Sequence, residues 1–115
     1  MKKKWLVLVA VLALVAFGSA AAAVTFVTIG SGGVGGTYYP LGGAMAEILS
    51  KADIGVKATS RSTAASKENC RLVASGKAQI GMSMGSTLYQ AYTGVEAFEQ
   101  DGKLPLRILM HMYPA

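Results

Sequence analysis

Seven residues, GSGGVGG from Gly30 to Gly36, separate an apolar run from an amphipathic one, and this junction constrains the fold more than any other stretch of the chain. Before it, Thr25 to Ile29 (TFVTI) is apolar and β-branched and reads as a buried strand. After it, Thr37 to Lys51 reads as a helix. Thr37 suits the N-cap, Pro40 falls in the first turn where no N–H is needed, and Leu41, Met45, Ile48 and Leu49 recur on one face at helical spacing. Within the loop, Gly30, Gly32 and Gly35 match G-x-G-x-x-G. A glycine loop between strand and helix lets the backbone approach a ligand without Cβ clashes, and it aims free N–H groups and a helix N-terminus at an anionic group.

The same alternation continues downstream. Ile54 to Thr59 (IGVKAT) reads as a second strand, Ser60 to Ala65 is small and polar, and a second helix follows with Ser62 or Thr63 as N-cap and Gly76 as its stop. Cys70, Leu72 and Val73 are among its apolar positions. Ala78 to Met82 (AQIGM) reads as a third strand, Ser86 to Tyr92 as a short helix ended by Gly94, and Leu106 to Met112 as a fourth strand. The order β-α-β-α-β-α-β with short connections predicts an α/β fold with a mainly parallel sheet. Ligands of such sheets bind beyond the carboxyl ends of the strands. The glycine loop, the Ser60–Ser66 segment and Gly85–Thr87 are expected to meet there.

The amino end lies outside this pattern. Lys2, Lys3 and Lys4 precede an uncharged apolar run from Trp5 to Phe17, and Gly18 to Ala23 supplies small residues for a cleavage site. Residues 1–23 therefore read as a secretory signal peptide, with cleavage after Ala20 or Ala23, and 24–115 as the folded part. The apolar run is shorter than the roughly 20 residues of a spanning helix. The formal net charge of +5 includes the three leader lysines, which leaves +2 for the remainder and argues for no nucleic-acid partner. Cys70 is the only cysteine, so no disulfide framework supports the domain. The chain stops on LPLRILMHMYPA, a strand pattern with no turn after it, and so reads as the front part of a longer protein.

Side chains that could carry a reaction are sparse. Tyr38 and Tyr39 could line a pocket or pack on the sheet; Cys70 reads as a small buried apolar residue, and His111 stands alone in the last strand. No Ser-His-Asp set, paired carboxylates or metal-ligand spacing emerges, so the sequence asks for no catalysis and no cofactor. A dinucleotide-binding domain is the competing reading of the glycine motif, with Arg61 where an NADP-selecting arginine might lie. In that fold the helix starts inside the glycine motif, which would put Pro40 past the first turn.

The run FVTIGSGGVGGTYYPLGGAMAEILSK resembles the opening of the TAXI solute-binding proteins of tripartite (TRAP) transporters, and ATSRSTAASKEN, VASGKAQIGMSM and YQAYTG continue the resemblance in order. It implies a periplasmic-binding-protein-like (type II) lobe, incomplete here, since family members run to roughly three hundred residues, about two typical domain lengths. It also implies an extracytoplasmic, non-enzymatic protein that captures a small organic anion, glutamate or a related dicarboxylate, and delivers it to the TRAP membrane permease. By the same resemblance Gly35, Gly36, Thr37 and Tyr38 match the first ligand loop, and Ser62, Thr63 and Ala64 an S-T-G segment. Ser86 falls near a Q-S-D motif that reads M-G-S-T here. The alternatives are an NADP-dependent oxidoreductase and an exported surface antigen with no transport role.

Overall fold

The computed structural model describes residues 1–4 and 23–113. The expected signal peptide lies almost wholly outside the described residues. The folded part runs β1 (Thr25–Gly30), α1 (Tyr38–Lys51), β2 (Val56–Arg61), α2 (Ser66–Ala74), β3 (Ile80–Gly81), α3 (Gly85–Thr93) and a 3₁₀ turn, Glu96–Phe98. The three strands form one sheet in the order β2-β1-β3, and both pairings are parallel. Thr25 pairs with Val56 and Gly30 with Arg61 on one side of β1, while Ile29 pairs with Ile80 and Gly30 with Gly81 on the other. The α/β fold with a parallel sheet expected from the alternation is present.

Parallel neighbours need crossovers, and α1 and α2 supply them on opposite faces. Successive strand residues point to opposite faces. A Cβ on Gly42 of α1 would meet Ser31 Cβ and Ser60 Oγ, each at 2.7 Å, whereas a Cβ on Gly30 would meet Asn69 Oδ1 of α2 at 2.5 Å. Ser31 and Gly30 are consecutive, so α1 covers one face and α2 the other. The chain thus steps outward from β1 to β2 and then back across β1 to β3, which makes the carboxyl ends of β1 and β3 a topological switch point.

Side chains complete the ladder where strands are short or open. Ser50 of α1 closes the outer edge of β2: its hydroxyl accepts from Ala58 N–H at 2.9 Å and donates to Ala58 C=O at 3.2 Å. Gln79 lends its amide oxygen to Thr28 N–H at 2.8 Å just before β3 begins. The main core cluster lies beside the sheet, where buried Cys70, Ala91, Phe98 and Leu106 pack with Val73, Leu88 and Leu104.

Several sequence expectations need correction. The first strand is buried only at its carboxyl end, with Ile29 inaccessible but Phe26 77% exposed. The inner face of α1 is Gly42 and Ala46, not the stripe of Leu41, Met45, Ile48 and Leu49: Ile48 is exposed and the other three are half-buried. Close approach at Gly42 turns the small residues inward. The second strand starts and ends two residues later than the pattern suggested, and the third is reduced to Ile80–Gly81. The expected fourth strand, Leu106–Met112, is not a strand: it pairs with nothing among the described residues, and Arg107 to Met112 is exposed, His111 included. Apolar composition permits a strand, but only a hydrogen-bonded neighbour makes one.

Candidate functional site

Each of the three strands ends in a loop that leads into a helix, so the amino ends of α1, α2 and α3 all gather at the carboxyl edge of the sheet. The first loop leaves β1 at Ser31, a fully buried residue held by Arg61 C=O, which accepts from both its N–H (2.9 Å) and its hydroxyl (2.8 Å). From Gly33 to Thr37 the loop is exposed, and it closes on itself through Gly36 N–H to Gly33 C=O at 2.8 Å. Thr37 precedes α1 in helical conformation and makes no side-chain cap, which corrects its expected capping role. The helix begins at Tyr38, after the last glycine, and Pro40 sits in the first turn where its missing N–H is harmless. A helix that starts after the glycines is not the dinucleotide-binding geometry.

The glycines of this loop divide by cause. Gly32 abuts Tyr38, its Cβ position 3.2 Å from Tyr38 Cβ, and Gly36 would crowd Gly33 C=O at 3.3 Å. Gly33 and Gly35 have nothing within 4 Å and do not adopt positive φ. Neither packing nor backbone conformation requires glycine there, and the space in front of both is open.

The second loop is knitted onto the first. Ser62 donates its hydroxyl to Gly32 C=O at 3.0 Å, and Thr63 N–H reaches the same oxygen at 3.4 Å. Neither residue caps α2, which corrects the expectation of Ser62 or Thr63 as N-cap; the N-cap is Ala65, at φ 65. Thr63 instead donates to Asn69 Oδ1 at 2.8 Å and accepts from Ala65 N–H at 3.1 Å, so its hydroxyl proton is engaged within the protein. Ala64 N–H is taken by the Glu68 carboxylate at 2.6 Å. That contact resembles a capping box, with a third-position carboxylate reaching back to an N–H upstream of the helix.

The third loop joins the second through Met84 N–H, which donates to Ser66 Oγ at 3.0 Å. Ser86 then lies exposed in the first turn of α3, beside Gly85, whose Cβ position is also empty. The expected site residues therefore lie on three connected loops. Gly35, Gly36, Thr37, Ser62, Ala64 and Ser86 are exposed on the rim, and Tyr38 and Thr63 are half-buried. Two surface grooves, one at Tyr92, Lys103 and Pro105 and the other at Arg71, Lys77 and Asp101, draw no residue from these loops.

Two residues of this edge escaped the sequence reading. Asn69 is buried within α2, yet its side chain reaches Ser31, Thr63 and Met82. A polar residue at an apolar-spaced position of a helix was the signal for it. Tyr113, in the distal segment, lies near Tyr38; desolvation first, then that neighbour, pushes its pKa up. Nothing in the spacing announced this contact. Cys70 behaves as expected of a buried apolar residue: burial pushes its thiol pKa up, against weaker opposing effects of Ser83 and Arg71.

A parallel α/β layer whose strand-end loops form one continuous open rim, with helix amino ends aimed at it, has the architecture of a binding-protein lobe. The family model described as the NMT1-like family matches residues 29–115, and the chain belongs to that family. It is a periplasmic-binding-protein-like family of solute-binding proteins, extracytoplasmic and non-enzymatic as a class, that serve transporters.

Proposed function

We propose that this chain is an extracytoplasmic solute-binding subunit of the TAXI type, and that its ligand is a small organic anion, glutamate or a related dicarboxylate, handed to a TRAP membrane permease. The leader at residues 1–23 fits export of such a subunit. The observation that carries the reading is the rim itself. Three helix amino ends and the exposed backbone around Gly33 and Gly35 face one opening, and the described residues place no structural demand on either glycine. A carboxylate is the small ligand chemistry that the amino ends of α1 and α3 favour, that of α2 being already met by Glu68. Ligand contact is assigned to Gly35, Gly36, Thr37, Tyr38, Ser62 and Ser86. Thr63 and Ala64 hold the second loop in shape, Thr63 through its bond to buried Asn69 and Ala64 through its bond to Glu68.

The test is calorimetric titration of the full chain with L-glutamate and, in parallel, with NADP. Gly35→Val adds a branched side chain where the protein leaves open space, so it is expected to abolish glutamate uptake while the melting temperature stays unchanged. It separates ligand approach from folding better than Gly36→Val, whose Cβ would press on Gly33 C=O. Saturable NADP binding, or glutamate binding indifferent to Gly35→Val, would overturn the assignment.

A further inference from the structure

Asn69 has a place in this edge that no other side chain among the described residues shares. It is inaccessible to solvent, and its Nδ2 donates to Ser31 C=O and to Met82 C=O, each at 2.7 Å. Its Oδ1 accepts the Thr63 hydroxyl at 2.8 Å. Ser31 opens the loop after β1, Thr63 lies in the loop after β2, and Met82 opens the loop after β3. One amide thus reaches all three loops, with three of the roughly four hydrogen bonds an asparagine side chain can make. Two carbonyl acceptors on one side and a hydroxyl on the other also fix which end of the amide is nitrogen.

The surrounding residues make room for it. A Cβ on Gly30 would fall 2.5 Å from Asn69 Oδ1, and one on Gly81 would fall 3.1 Å from Asn69 Cβ. These two glycines sit side by side in the sheet, paired across β1 and β3, and neither adopts positive φ. Asparagine is a mediocre helix former, so α2 gains nothing locally from it. An apolar residue of similar size would leave the buried Ser31 C=O and Met82 C=O and the half-buried Thr63 hydroxyl without this partner.

We propose that Asn69 is the positioning residue of the binding edge: its single buried amide sets the mutual spacing of the three loops that a ligand bridges. It touches no ligand itself, being fully buried, and acts through Ser31, Thr63 and Met82. The proposal rests on the reading of this rim as the ligand site.

The experiment compares Asn69→Ala, Thr63→Val and Phe98→Leu in the full chain, by hydrogen exchange of the backbone amides and by calorimetric titration with L-glutamate. Phe98 belongs to the core cluster with Cys70 and Ala91 and donates nothing to the rim, so its variant reports destabilisation alone. Asn69→Ala is expected to speed exchange selectively in the three loops and to weaken glutamate binding by about tenfold or more. Thr63→Val, which removes one of the three links, should do the same in the second loop with a smaller loss of affinity. Phe98→Leu should lower the melting temperature and leave the dissociation constant unchanged. An Asn69→Ala protein with parental affinity and evenly spread exchange overturns the proposal; if that variant does not fold, parental behaviour of Thr63→Val overturns it. A parent chain that takes up no glutamate sinks the ligand reading, and exchange then decides alone: selective loosening of the loops upholds the positioning role and even loosening ends it.

Discussion

Glu68 already occupies one of the positions that an anionic ligand would favour. Its carboxylate accepts Ala64 N–H at the amino end of α2, where the helix dipole and free N–H groups stabilise negative charge. The fold gains a cap from it, and the rim gains a fixed negative charge that repels a dicarboxylate. Glu68→Gln keeps an oxygen acceptor for Ala64 and removes the charge. Anion affinity is expected to rise about two- to fivefold at low ionic strength, the scale of one charge at a helix terminus, and the gain should shrink as salt screens it. Glutamate titrations of the two proteins in low-salt buffer and in high-salt buffer check this. Weaker binding by Glu68→Gln would mean that the carboxylate is needed to shape the loop.

Among the elements, α1 is the most revealing, because the part of it that matters most is a glycine. A Cβ at Gly42 would meet Ser31 Cβ and Ser60 Oγ at 2.7 Å, and neither neighbour is the loose end of a long side chain. Gly42→Ala should therefore destabilise by about 1–3 kcal/mol through overpacking, despite alanine's better helix propensity, and thermal or denaturant melts read this directly. An unchanged or higher melting temperature would show that α1 can lift from the sheet without penalty. The same glycine shows why the amphipathic face was misjudged. Apolar spacing pointed to Leu41, Met45, Ile48 and Leu49, but a helix that approaches a sheet closely turns its smallest residues inward, and hydrophobicity does not record that. Where local chemistry decides the structure, the sequence was legible. Gly76 ends α2 at φ +73, with Lys77 N–H on Leu72 C=O and its own N–H on Val73 C=O, and Gly94 ends α3 at φ +71. The loops of the rim were legible for the same reason, since glycines and hydroxyls cluster there. Asn69 was not, because its function depends on three segments brought together by the sheet. The fourth strand failed for want of a partner, which no single segment can reveal.

At the scale of the molecule, the chain downstream of α3 is held to the rest by a small set of contacts. Leu106 enters the core cluster, Phe98 lies fully buried within it, and Arg71 of α2 binds across it to the following segment. The Arg71 guanidinium stacks 4.9 Å from the Phe98 ring centre, donates to Ala97 C=O at 2.9 Å, and meets Asp101 through two nitrogens, the shorter contact 2.7 Å. Beyond Leu106 the exposed side chains of Ile108, Leu109 and Met110 add nothing to this attachment. The pairing holds the Asp101 carboxyl below its ordinary range, first through the hydrogen bond from Arg71, and it raises the Arg71 pKa for the same reason. The sign of the pH dependence follows. The unfolded chain takes up the Asp101 proton at a higher pH than the folded chain does. The pairing therefore contributes fully above the ordinary aspartate pKa of about 4 and is lost as pH falls through the lowered folded value. Both partners are partly solvated, so the contribution is small and sensitive to salt. Asp101→Asn is expected to melt slightly below the parent at neutral pH and low salt. The gap should narrow in high salt and close as the pH drops below the lowered pKa, where the parent carboxyl is also neutral. Melting curves of both proteins across acid and neutral buffers check it. A gap that persists unchanged into acid would show that Asp101 holds the downstream segment by shape and hydrogen bonding, and that the charge on the pair is incidental.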